Sequence, residues 1–281
     1  MLSDTYYAHT IPMTASKAPR EIIVRLARAS RGGLVTVARA RGALGLSPRA
    51  TTLRLSRLAE AGWLRRVRRG LYLVLPLEAQ AELATTVEDP WILADELFAP
   101  CYIGGWSAAE HWGLTEQIFR SVFVVTAGPV RRRSETFAGV EFRVVRTSAR
   151  RVKAAGTVWR GAERVAASDR EQTLADGLAS PEWVGGVRHL ADMLATYRAS
   201  RDWKPAGLLR AVRALRRGSA MKRLGYLAEV LWPAEIEIPK AALQARSAGL
   251  VKLDPAIRSV GRISKRWGLR VNASIEQPAA Q

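Results

Sequence analysis

The chain carries one cysteine in 281 residues, three histidines and no long apolar run. A single cysteine, Cys101, excludes an internal disulfide framework and any cysteine-rich zinc site. It lies in the apolar run "FAPCYIGGW", the setting of a buried structural thiol. His9, His111 and His189 show no metal-binding spacing, and neither metal nor cofactor is expected. No stretch approaches the roughly eighteen uninterrupted apolar residues of a membrane helix. The start, "MLSDTYYAHTIPMTASK", lacks the basic and apolar segments of a secretory signal, so a cytoplasmic protein is expected. P-loop and dinucleotide fingerprints are missing too. Acids are the scarce charge: 25 Asp and Glu stand against 44 Lys and Arg, a net charge of +19. That balance favours an anionic partner, most often nucleic acid; with no apolar run long enough to span a bilayer, no membrane partner is expected.

Where the charge sits says more than its total, because 37 of the 44 basic residues are arginine and GC-rich coding alone enriches arginine and alanine. From Met1 to Leu75 there are 14 basic residues and 3 acids, a net of +11. More than half of the excess therefore falls in about a quarter of the chain, which coding bias does not explain. The stretch "GLSPRATTLRLSRLAEAGWLRRVRRGLYLV", residues 45–74, alone holds seven arginines and one acid, Glu60.

Its order is informative. A helix is expected from Ala18 to Ala29, with Ile22, Ile23, Leu26 and Ala27 at helical spacing, ended by "RGG" at 31–33. A short second helix is expected over Val35–Leu44, with Val35 and Ala38 inward. After the turn "GLS", Ser47 caps a third helix, Pro48 suits its first position and Gly62 its C-terminal end. "WLRRVRRGLYLVLP" then reads as a hairpin turning at Arg69-Gly70 and stopped by Pro76. Helix, helix, turn, helix, hairpin is the order of a winged helix-turn-helix. The third helix would bury Leu46, Ala50, Leu55, Leu58 and Ala59. Arg49, Thr51, Thr52, Arg54 and Arg57 are the candidates for the DNA groove, with Arg65, Arg66, Arg68 and Arg69 at the tip of the wing.

The fold class expected is α+β: the winged helix-turn-helix, then a mixed domain with a small sheet and a helical second half. Its boundaries are a flexible segment at 1–16, the DNA-binding domain at 17–77, a linker at 78–89 and a C-terminal domain at 90–281. In that domain "SVFVVTAG", "VEFRVVRT" and "GTVWRG" read as strands, and the chain from Ser168 onward as mostly helical.

The stretches "YIGGWSAAEHWGLTEQIFRSVFVVTAG" (102–128), "ASDREQTLADGLASPEWVGGV" (167–187), "RLGYLAEVL" (223–231) and the closing "LDP" and "RWGLRVN" resemble the AbiEi family. Its members are antitoxins and regulators of bacterial abortive-infection, type IV toxin–antitoxin systems of phage defence. The resemblance implies a repressor whose winged helix binds inverted repeats of duplex DNA in its own promoter. It implies an antitoxin domain at 90–281 that opposes a nucleotidyltransferase-like toxin without a stable complex. Solitary members exist, so a paired toxin does not follow from the resemblance.

The alternative is a DNA-processing enzyme with a nuclease-like C-terminal domain. Its nearest sequence, Glu235, Glu237 and Lys240 in "AEIEIPK", has the wrong acid-to-lysine spacing. Asp169, Glu171 and Asp176 read structurally, with Ser168 and Glu171 as a capping box. Glu110 and His111 are helix neighbours about 100° apart, not an acid–base pair. "RGSAMKR" has the Gly-Ser of a nucleotidyltransferase without the paired aspartates that follow it. No enzyme activity is expected. The arginines at 131–133, Arg150, Arg151 and Lys153, and the series Arg210, Arg213, Arg216, Arg217, Lys222 and Arg223 read equally as solvated faces or as further anion contacts.

Overall fold

The computed structural model describes residues 17–75 and 87–275. The expectations for 1–16 and for most of the 78–89 linker lie outside these residues. Two compact units divide between Glu88 and Asp89.

In the first unit, α1 (Lys17–Ala29) buries Ile23 and Leu26 at the expected spacing, while Ala27 stays exposed. The chain then forms β1 (Leu34–Thr36), α2 (Val37–Leu44), α3 (Pro48–Glu60), β2 (Leu64–Arg68) and β3 (Leu71–Val74). The strand β1 replaces the expected start of the second helix. Val35 is buried there opposite Tyr72, and α2 turns Ala40 inward rather than Ala38. Thr36 ends the strand and caps α2, its hydroxyl accepting from the Arg39 amide at 3.2 Å. Strand β3 lies between β1 and β2, antiparallel to both. Leu26, Val35, Ala40, Leu55, Leu58, Leu64 and Tyr72 form the core.

The second unit opens with α4 (Pro90–Phe98), β4 (Cys101–Ile103), α5 (Gly105–His111), β5 (Ser121–Thr126), β6 (Ser134–Phe137), β7 (Val140–Arg146), α6 (Ala149–Lys153), β8 (Gly156–Arg160) and β9 (Glu163–Ala167). Its sheet is larger than expected: six strands in the order β6-β7-β5-β4-β9-β8. The pairs β5–β7 and β4–β9 are parallel. Cys101 is buried on β4, as its apolar setting suggests.

The helical half follows: α7 (Arg170–Ala179), a 3-10 turn (Pro181–Val184), α8 (Val187–Ala199), α9 (Pro205–Ala214), α10 (Gly218–Leu231) and α11 (Glu237–Ala245). A second small sheet of β10 (Val251–Lys252), β11 (Arg262–Ser264) and β12 (Leu269–Val271) closes the described chain. The main core lies among α7, α8 and α10, with Trp267 packed into it. Gly225 makes room for that indole: a Cβ there would meet the ring at 2.0 Å. Among the described residues no helix is long and apolar enough to cross a membrane.

Candidate nucleic-acid interface

Local sequence sets the α2–α3 junction. Gly45 ends α2 at φ 67°, a left-handed conformation that costs glycine little, and its amide bonds the Arg41 carbonyl at 2.9 Å. Two residues later the Ser47 hydroxyl accepts from the Ala50 amide, and Pro48 fills the first turn. At the far end Gly62 stands at φ 76°. Its amide bonds Ala59 and that of Trp63 bonds Leu58 at 2.9 Å, so the last carbonyls of α3 are satisfied. Both ends of the arginine-rich helix are thus held by its own sequence.

The faces of α3 follow from its phase. Thr51, Leu55 and Leu58 are buried. Opposite them, Arg49, Leu53, Arg57 and Glu60 fall on the exposed face, bordered by Thr52 and Arg54, also exposed. Thr51 is a correction to the groove set. It is fully buried and its hydroxyl donates to the Ser47 carbonyl at 2.9 Å, so it serves the core and not a ligand. The Thr52 hydroxyl likewise donates within the helix, to Pro48, but keeps an exposed acceptor oxygen. Leu53, 51% exposed between Arg49 and Arg57, was not among the candidates. The available signal was an apolar residue off the inward stripe. Such a side chain can meet a thymine methyl.

The hairpin distributes its arginines differently from the expectation. Arg66 pairs with Tyr72 and Arg68 with Leu71, leaving Val67 as the extra residue of a β-bulge. Arg68 and Arg69 flank the turn at Gly70 and are exposed. Arg65, half-buried opposite Leu73, and Arg66 lie along β2 and not at the tip. The turn does not float: the Val37 amide, at the start of α2, donates to the Gly70 carbonyl at 3.1 Å.

The other sequence candidates take structural roles. Asp169, not Ser168, caps α7, accepting from the Gln172 amide at 2.7 Å. Ser168 turns inward to the Thr173 hydroxyl, because it is already bonded to β4 through its backbone amide. Glu171 accepts from the Tyr197 hydroxyl at 2.6 Å; burial and then this carboxylate raise the tyrosine pKa. Glu235 accepts from the amides of Glu237 and Ile238 and pairs with Arg198, at a helix start rather than on a nuclease strand. The His111 ring packs between Trp91 and Trp112, and burial, then Arg160 and Arg170, lower its pKa. Among the described residues no group of three or more His, Cys, Asp and Glu is placed to hold a metal.

Lys222 and Arg223 leave the basic surface altogether. Lys222 is buried against the carbonyls of Ala248 and Gly249. Arg223, equally buried, donates to the carbonyls of Leu178, Ala179, Lys252 and Leu253, tying α7 and β10 to α10. Burial lowers the pKa of both, with Arg246 adding to the effect at Lys222.

Residues 21–74, from within α1 to the end of β3, match the model of a family described as transcriptional regulator, AbiEi antitoxin. The stretches at 102–128, 167–187 and 223–231, on which the sequence resemblance also rests, lie beyond that match. No curated protein matches the chain in sequence. The crystal structure of the RV2827C protein from Mycobacterium tuberculosis is similar in fold, with a TM-score of 0.58 at 20% identity over 92% of each chain.

Proposed function

Because residues 21–74 carry the AbiEi transcriptional-regulator segment, we infer that the first unit is a winged helix-turn-helix that binds duplex DNA. On this reading α3 lies in the major groove, with Arg49, Leu53, Arg54 and Arg57 toward base edges and Thr52 toward phosphate or base. Arg66, Arg68 and Arg69 of the hairpin contact the backbone, and Arg65 supports them from its half-buried place. The observation that carries the reading is the exposed face of α3. It is capped at both ends, rich in arginine, and followed by a basic hairpin anchored to α2.

The regulator acts in the cytoplasm as a repressor of its own operon, binding inverted repeats. The second unit supplies the antitoxin activity against a nucleotidyltransferase-like toxin. A reporter driven by the DNA upstream of this gene tests the first part. Expression of the chain should silence it, and Arg49→Ala with Arg57→Ala should release it; a reporter indifferent to the chain contradicts repression. Co-expression with a neighbouring nucleotidyltransferase-like gene tests the second part: growth should be restored by the chain, and unrelieved arrest contradicts antitoxin action.

A further inference from the structure

The second unit holds a cleft of about 1040 Å³ that the DNA-binding reading does not use. Its floor is α7, which packs against α9 and holds α6 through a fully buried carboxylate, Asp176. That carboxylate accepts from the Tyr102 hydroxyl at 2.8 Å and pairs with the Arg151 guanidinium, whose Nε in turn donates to the same hydroxyl. The walls bring together Arg146, Arg150, Lys204, Arg210, Arg216 and Arg217, all exposed. None of these six makes an ion pair among the described residues.

The acids in the cleft offset only part of this charge. Asp176 pairs with Arg151, and Asp169 and Glu171, held by the α7 amide and by Tyr197, leave the six cations in excess. Like charges gathered around a concave surface repel one another and focus a positive potential, which an anion between them relieves. Two further features point to an organic anion rather than a bare ion. The space far exceeds a single phosphate, and its lining includes apolar surface at Trp183, Leu215 and Ala211. Arg216 also stands at φ 52°, in the left-handed region that a non-glycine residue rarely occupies.

We propose that this cleft binds a phosphorylated nucleotide, its phosphates held among Arg146, Arg150, Arg210, Arg216 and Arg217 and its base against the Trp183 side. The same chemistry is offered by a free nucleoside triphosphate and by the phosphorylated end of a single strand.

The test is calorimetry on the full chain at physiological salt with ATP, adenosine, and 5′-phosphorylated and 5′-hydroxyl single-stranded oligonucleotides. ATP binds saturably and adenosine does not if the free nucleotide is the ligand. A preference for the 5′-phosphorylated strand, without ATP binding, assigns the strand end instead. In either case Arg146→Ala with Arg210→Ala and Arg217→Ala weakens binding about tenfold or more, as loss of charge-assisted hydrogen bonds implies. Substituting Arg66, Arg68 and Arg69 leaves it unchanged.

Arg216→Gly supplies an independent readout. It should raise the thermal midpoint by relaxing the backbone and lower nucleotide affinity by removing a cation. No saturable binding by any probe overturns the proposal. So does binding that survives the cleft substitutions, or binding lost equally with the hairpin arginines. A raised midpoint with unchanged affinity in Arg216→Gly removes that residue from the site.

Discussion

The contrast between Thr51 and Leu53 decides what α3 presents. A polar side chain two residues from an arginine reads as a DNA contact, and a leucine reads as core. The helix phase reverses both, because about 100° per residue carries Thr51 to the side of Leu55 and Leu58. Thr51→Val keeps the shape of the buried side chain and should leave DNA affinity within about twofold, well short of a lost charged hydrogen bond. A tenfold loss in a folded Thr51→Val protein would restore Thr51 to the groove. Arg54→Ala or Arg57→Ala should cost about 1–3 kcal/mol of specific binding where the arginine contacts a base. Binding to single-base variants of the operator checks this: preference should relax at one position, and an equal loss on every sequence would assign a phosphate contact. The caps were legible in the sequence because Gly45, Ser47, Pro48 and Gly62 act within a few residues of where they stand.

Elements held by distant partners were harder to read. Strand β1 is three residues long and exists because β3, more than thirty residues later, pairs with it. Strands β4, β6 and β9 are similarly short or weakly alternating, and sheet partners rather than their own pattern define them. At α7 the expected capping box of Ser168 and Glu171 gives way to Asp169, because Ser168 is tied to β4. The packing of α10 gives a sharp prediction. Gly225→Ala drives a Cβ into the Trp267 ring, and overpacking of this kind costs about 1–3 kcal/mol or more. Chemical denaturation should show that loss, and an unchanged midpoint would mean that the indole sits elsewhere. Asp176→Ala should also destabilise, by less than the about 3–5 kcal/mol of a pair buried on both sides, because Arg151 keeps some contact with water.

At the scale of the molecule, charge concentration was readable and its arrangement was not. The +11 of residues 1–75 marks the first unit as strongly basic from composition alone. In the second unit the basic residues between 146 and 217 look scattered along the chain, and Lys222 and Arg223 look like more of the same. Folding separates them: six stand around one cleft, while Lys222 and Arg223 go into the interior to bond carbonyls. The packing of elements distant in sequence, and not the local pattern, creates that difference.

Whether α3 reads DNA and the hairpin clamps it is decided by one salt titration. Binding of the full chain to DNA from just upstream of its gene is compared with binding to a scrambled duplex of equal length. Binding to the upstream DNA should be tighter and, with about six phosphates neutralised, should show a log–log salt slope near −5. The slope should become shallower once Arg66, Arg68 and Arg69 are replaced by alanine. Equal affinity for both duplexes at every salt concentration would contradict sequence reading by α3, and a slope unchanged by the three substitutions would contradict the hairpin's role.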